Sequence, residues 1–188
     1  MKVLAINGSP RKEGNTAAML NTVLDVAKEG GAQTEFYQAG GKPVMGCLAC
    51  GSCRKNTHKC VTDDWINELY PKMLNADAIL IGSPTYFADL TPETKAVIDR
   101  CGYIARSAGS AFSRKIGAAI SAVRRAGGIH TLDSIQHFFT INDMIIPGSS
   151  YWNMSLSRDL NDFQNDNEGI ATMKRLAENI LWLGEKIG

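Results

Sequence analysis

Cys47, Cys50, Cys53 and Cys60 form a C-x2-C-x2-C-x6-C run, so four of the chain's five cysteines fall within fourteen residues. Thiolates at such short spacing can turn inward onto one inorganic centre, and a compact four-cysteine run suits a [4Fe-4S] cubane. Arg54, Lys55 and Lys59 lie inside the run, where they offset the negative charge of such a centre, and His58 joins them when protonated. Zn2+ also takes four thiolates, although structural zinc sites more often use two separated pairs; free or oxidised thiols are the third alternative. Five cysteines are an awkward number for a secreted disulfide framework, and the crowding of four of them points to metal or redox chemistry in a reducing compartment. Cys101 stands apart on an apolar helical stripe with Val97, Ile98 and Ile104 and reads as core.

A second chemical feature is the loop Gly8-Ser9-Pro10-Arg11-Lys12-Glu13-Gly14-Asn15-Thr16, between an apolar strand pattern and a helical one. Such a loop aims backbone N–H groups at the positive end of a helix, where a phosphate is favoured. Ser9, Asn15 and Thr16 offer neutral hydrogen bonds, Arg11 a charge-assisted pair, and Gly8 and Gly14 a close approach of the chain. The loop matches neither G-x-x-x-x-G-K-[ST] nor G-x-G-x-x-G, so a monophosphate fits better than a triphosphate or a dinucleotide. An ordinary turn with a helix cap is the plainer alternative, since Gly, Ser, Pro and Asn all favour turns.

Two further loops carry suitable groups. Pro84, Thr85, Tyr86 and Phe87 follow the third strand pattern and offer apolar ring faces and a hydroxyl to a flavin. Ser121 with Arg124, Gly127 and Gly128 follows the fourth; the glycines permit close approach, and the arginines suit the N1–O2 edge of a reduced, anionic flavin. Loop packing and a solvated basic turn are the plainer alternatives for these two segments.

The elements that must position these loops alternate along the chain. Strand patterns at Val3–Asn7, Gln33–Gln38, Ala78–Gly82, Lys115–Ala122 and Asp143–Ile146 are mostly continuous apolar runs, as strands buried on both faces should be. Helical periodicity covers about Thr16–Glu29, Asp63–Leu74, Pro92–Ser107, Ile129–Thr140 and Glu168–Lys186. Thr91-Pro92-Glu93 reads as a helix start and Gly30-Gly31 as a stop. Five strands alternating with five helices predict an α/β three-layer sandwich with a five-stranded parallel sheet in the order 2-1-3-4-5, in one domain over residues 1–188. Residues 39–62, with the cysteines, and 148–167 exceed usual connection lengths, which marks them as functional.

The chain of 188 residues carries a net charge of +1 with dispersed cations, giving no footprint for nucleic acid or an anionic membrane. No stretch approaches the roughly 18 apolar residues of a membrane span, and a cytoplasmic location is expected. Sequence signatures of hydrolases, G-x-S-x-G and H-E-x-x-H, are absent.

Taken together, Gly8-Ser9-Pro10-Arg11 with Asn15-Thr16, Ser83-Pro84-Thr85-Tyr86, Ser121 with Gly127-Gly128, and the cysteine loop followed by Asp63-Asp64 resemble the NADPH-dependent FMN reductase group of flavodoxin-like proteins. Within it they look most like the iron–sulfur flavoproteins of anaerobic microbes. The resemblance implies FMN held by the three loops, a cluster on the four cysteines facing a flavin, and a homodimer or homotetramer. It implies hydride chemistry at the flavin and single-electron transfer at the cluster, with NAD(P)H or a ferredoxin-like donor and a small-molecule or protein acceptor. The alternatives are a cluster-free NAD(P)H-dependent reductase of FMN or quinones, and a non-catalytic carrier or redox sensor. No side chain is assigned a catalytic proton transfer, because the reacting atoms belong to the cofactor.

Overall fold

The computed structural model describes residues 1–55 and 58–187. Its elements run β1 (Lys2–Asn7), α1 (Asn15–Glu29), β2 (Gln33–Gln38), α2 (Ile66–Asn75), β3 (Ala78–Pro84), α3 (Pro92–Ser107), β4 (Ile116–Val123), α4 (Gly128–Ile141), β5 (Met154–Leu156) and α5 (Asn167–Ile187), with short 3-10 turns at Ser52–Arg54 and Asp162–Asn165. The strands form one sheet in the order β2-β1-β3-β4-β5, every neighbouring pair parallel. This is the expected doubly wound order.

Alternation along the strands divides the apolar side chains between two cores. Val3, Ala5, Leu80 and Ile120 pack under α1 and α5 with Met19, Leu20, Val23, Met173 and Ile180. Leu4, Ile6, Ile79 and Ile81 pack under α2, α3 and α4 with Leu69, Val97, Ile104, Ile135 and Phe139. Cys101 belongs to this second core with no exposure, and burial pushes its thiol up to about 12. Among the described residues no helix is long and apolar enough to cross a membrane.

The fifth strand lies elsewhere than the apolar run Asp143–Ile146 predicts. Ile145 makes only an isolated bridge to Ile116, through Gly117 N to Ile145 O and Ile145 N to Lys115 O, both 2.9 Å. Pro147 follows two residues later, has no N–H, and cannot extend a ladder. Pairing resumes at Met154–Leu156 against Ser121–Val123. There the inward residue is the buried Ser155, bonded to Ser157 Oγ at 2.8 Å and Asp166 Oδ2 at 2.6 Å, so the strand has no apolar run to betray it. The loop 148–167 is thus two connections around a short strand. Helix α2 also starts later than periodicity suggests, at Ile66, because Asp64 Oδ1 accepts from Ile66 N at 3.2 Å and turns the chain first.

Thr91 ties helix α3 to the sheet edge. Its hydroxyl accepts from Thr94 N at 3.4 Å as the helix cap and donates to Gly8 O at 2.8 Å, while its own N–H reaches Ser83 Oγ at 3.0 Å. Replacing Thr91 by Ala removes the cap and leaves a buried carbonyl without its donor. The expected cost is about 2–3 kcal/mol, read as a lower urea midpoint at unchanged slope.

Candidate functional site

All three cofactor-type loops leave the carboxyl ends of β1, β3 and β4, flanking the β1/β3 switch point of the sheet. The first is held by side-chain amides. Asn7, with no exposure, donates to Gln38 Oε1 at 2.7 Å, and Gln38 Nε2 donates to Ser9 O and Gly40 O, each at 2.7 Å. Asn7 Oδ1 receives Ser9 N at 3.1 Å and Ser9 Oγ receives Arg11 N at 3.2 Å, which curls the loop. A Cβ on Gly8 would stand 1.9 Å from Thr94 Oγ1, so only glycine fits where the loop crosses α3.

Helix α1 has no side-chain cap: Gly14 precedes it in extended geometry and no acid occupies its first turn. The first N–H bonded within the helix is that of Ala18, to Gly14 O at 3.0 Å. The N–H groups of Asn15, Thr16 and Ala17 therefore face an end that an anion would complete. Ser9 and Thr16 are buried beside it and Arg11 is exposed at its rim. Asn15 sits there too, but its side chain serves the fold: Nδ2 donates to Asp159 O at 2.8 Å and Oδ1 receives Phe163 N at 3.3 Å. Arg158, just beyond β5, lines a concavity with Arg11, Glu13, Asp159 and Leu160. It went unread in the sequence because the strand that delivers it did.

The other two loops lock onto each other. Thr85 Oγ1 lies 3.0 Å from both Ser121 Oγ and Thr131 Oγ1, and Thr85 N donates to Ala122 O at 2.9 Å. Tyr86 and Asp89 exchange backbone hydrogen bonds at 2.7 and 3.1 Å around Phe87 and Ala88, which both take positive φ, 49° and 65°. That hairpin normally asks for Asn-Gly, so the turn is strained. It leaves Tyr86 half exposed and Phe87 wholly so, while Pro84 is partly buried. Gly127 has φ 89°, and a Cβ there would meet Ala88 Cα at 2.7 Å; Gly128 starts α4, and Arg124 is exposed.

The cysteine loop departs from the same edge at β2 but folds back beside α3. Cys47, Cys50, Cys53 and Cys60, all free thiols, line one cavity of about 320 Å³ with Arg100, Tyr103 and Ile104. Those α3 residues lie eight to twelve positions past its start, about 12–18 Å from the sheet edge. The loop is pinned at both ends. Arg100, 2% exposed, donates from Nη1 to Met45 O (3.2 Å) and Asp64 Oδ2 (2.5 Å), and from Nη2 to Thr62 O (3.2 Å) and Asp64 Oδ1 (2.8 Å). Burial works against the guanidinium charge, yet Asp64 and the Cys60 sulfur hold its pKa above the ordinary arginine value. Asn67 fixes Cys60 by accepting from its N–H at 2.8 Å and donating to its carbonyl at 3.2 Å. Trp65 Nε1 donates to Pro43 O at 2.9 Å, with Lys42 Nζ 4.2 Å above the Tyr37 ring.

Among the described residues no three His, Cys, Asp or Glu side chains come close enough to hold a single metal ion. One tetrahedral ion needs every sulfur at about 2.3 Å. A cubane gives each thiolate its own iron, so four sulfurs spread around the wall of one cavity fit it better.

A parallel 2-1-3-4-5 sheet with an uncapped helix start at its switch point defines a flavodoxin-like protein. The description "NADPH-dependent FMN reductase" matches residues 1–159, and the chain belongs to that family of oxidoreductases. It is 33% identical over 187 residues to an iron–sulfur flavoprotein of Methanocaldococcus jannaschii, covering 96% of this chain and 95% of the relative. It is 34% identical over 182 residues to the iron–sulfur flavoprotein of Methanosarcina thermophila, covering 96% and 93%. In fold it is similar to a flavone reductase, with TM-score 0.72 at 21% identity over all of this chain and 64% of that one.

Gly127→Ala introduces a strained φ and pushes on Ala88, displacing the Thr85–Phe87 loop. FMN affinity is expected to fall at least tenfold at unchanged far-ultraviolet circular dichroism, as read by quenching of flavin fluorescence on titration.

Proposed function

We propose that this oxidoreductase passes electrons between FMN, held at the β1, β3 and β4 loops, and a [4Fe-4S] cluster held by Cys47, Cys50, Cys53 and Cys60. The observation that carries the assignment is the convergence of four unpaired thiols on one cavity in a chain whose anion-accepting helix start stands at the switch point. When bound, FMN supplies hydride chemistry and the cluster single-electron exchange.

The chain's own residues bind and orient. Ser9, Arg11, Thr16 and the first-turn N–H groups of α1 take the phosphate, with Arg158 adding a second cation near Arg11. Pro84, Thr85, Tyr86 and Phe87 border one side of the ring and Ser121, Arg124, Gly127 and Gly128 the other. Thr85 holds its loop through Ser121 and Thr131 so that the ring's neighbours stay fixed. The cysteine cavity lies along α3, away from the loops of its own chain, and Met45, Leu48, Val61 and Tyr103 leave apolar surface exposed around it. These features support a homo-oligomer in which the cysteine loop of one copy faces the flavin loops of another. NAD(P)H or a ferredoxin-like protein serves as donor, and a small molecule or a protein as acceptor.

The family description itself favours a second reading, a cluster-free NAD(P)H-dependent reductase of FMN or quinones. Anaerobic purification with iron and acid-labile sulfide analysis separates the two. About four of each per chain are expected, and a flavin spectrum without iron excludes the cluster. Replacing Arg11 by Met and Thr16 by Ala together should weaken FMN binding by roughly 10–100-fold, the loss of one charge-assisted and one neutral hydrogen bond. Unchanged affinity in a calorimetric titration contradicts the phosphate assignment.

A further inference from the structure

Arg100 heads the fully buried side chains of the protein by size, and it forms part of the wall of the cysteine cavity. A guanidinium has five N–H donors and no acceptor. Four are taken up by Met45 O, Thr62 O and the two Asp64 oxygens. The fifth, on Nε, is buried and has no partner among the described residues. Buried donors are rarely left so, and an exception is explained by local strain, by water or by a group that is not part of the polypeptide.

A candidate acceptor lines the same cavity. Cys60 and Arg100 share its wall, and Asn67 holds the backbone of Cys60 through both its N–H and its carbonyl. A neutral thiol is a weak acceptor, whereas a thiolate bound to iron accepts strongly. Clamping the loop uses only Nη1 and Nη2, so a purely structural arginine has no need of its Nε proton.

Resting on the cluster reading above, we propose that Arg100 is a positioning residue for the cluster: its Nε–H donates to the Cys60 sulfur that ligates iron and thereby raises the cluster's reduction potential. Reduction adds negative charge to the sulfurs, so a donor aimed at one of them stabilises the reduced form more than the oxidised form. Asp64 cancels the charge of Arg100 at contact distance, which leaves the direction of this hydrogen bond, rather than net charge, as the means of tuning.

The test is an anaerobic redox titration of the reconstituted protein, following the cluster by electron paramagnetic resonance and FMN by its visible spectrum in the same sample. Arg100→Lys keeps the cation and removes the Nε donor. The cluster midpoint is expected to move to more negative potential while the FMN midpoint and iron content hold; an unchanged cluster midpoint at full iron content overturns the role of Arg100. Should Arg100→Lys fail to fold or to take up iron, pulsed electron paramagnetic resonance of the reduced cluster in Arg54→Lys protein carrying 15N-labelled arginine reads the hydrogen bond directly. A 15N coupling to the cluster is then expected, and its absence overturns the proposal. Wild-type protein that holds no iron after reconstitution with Fe2+ and sulfide overturns the proposed function and this role together, whereas iron-replete variants with wild-type midpoints overturn this role alone.

Discussion

A parallel sheet covered by helices on both faces has only its two ends free, and that constraint organises everything chemical in this molecule. Every β-to-α connection leaves from the carboxyl end, so β1, β2, β3 and β4 must deliver their following loops to one edge. The glycine-bearing loop after β1, the cysteine loop after β2 and the loops after β3 and β4 share that departure point because the chain has no other way to return. Their positions relative to one another are then fixed by buried polar contacts: Asn7 with Gln38 and Ser9, Thr91 with Gly8, and Thr85 with Ser121 and Thr131. Apolar packing supplies the stability of the layers, and these hydrogen bonds supply the register of the edge.

The cysteine loop shows the same division of labour with charge in place of amides. The pair of buried Arg100 with partly buried Asp64 gains little net stability over an apolar substitute, since desolvation offsets most of the attraction. What it gives is geometry: one rigid fork reaches carbonyls on both sides of the loop and leaves the thiols ringed around a single space.

The sheet order, the helices and the glycine-bearing loops were legible in the sequence because each rests on local pattern. Continuous apolar runs, three- and four-residue spacing, and the Thr91-Pro92-Glu93 start all speak of neighbours within a few positions. The misplaced fifth strand shows where such reasoning ends. Met144-Ile145-Ile146 has the composition of a strand and Met154-Ser155-Leu156 does not, yet ladder pairing goes to the second because Pro147 interrupts the first and Asp166 satisfies the buried Ser155. The supports of the site were hidden for a related reason. Gln38, Asn67 and Arg100 are ordinary polar residues in sequence, Asp64 was read only as part of a motif, and partners such as Asn7 with Gln38 or Asp64 with Arg100 lie 31 and 36 positions apart. Asn15 was read for its chemistry and turned out to hold the segment around Asp159 and Phe163.

The clamp on the cysteine loop also decides what the loop needs in order to keep its shape. All four hydrogen bonds of Arg100 go to the loop and its immediate continuation, so a chain with the loop open would bury an uncompensated cation against the second core. The closed loop therefore satisfies Arg100 with groups of the polypeptide alone, and its shape does not depend on what fills the cavity. Of the four thiols, Cys47 and Cys50 are exposed and Cys53 and Cys60 half-buried. A thiol reagent arriving from solvent would therefore meet the two outer sulfurs before the inner pair.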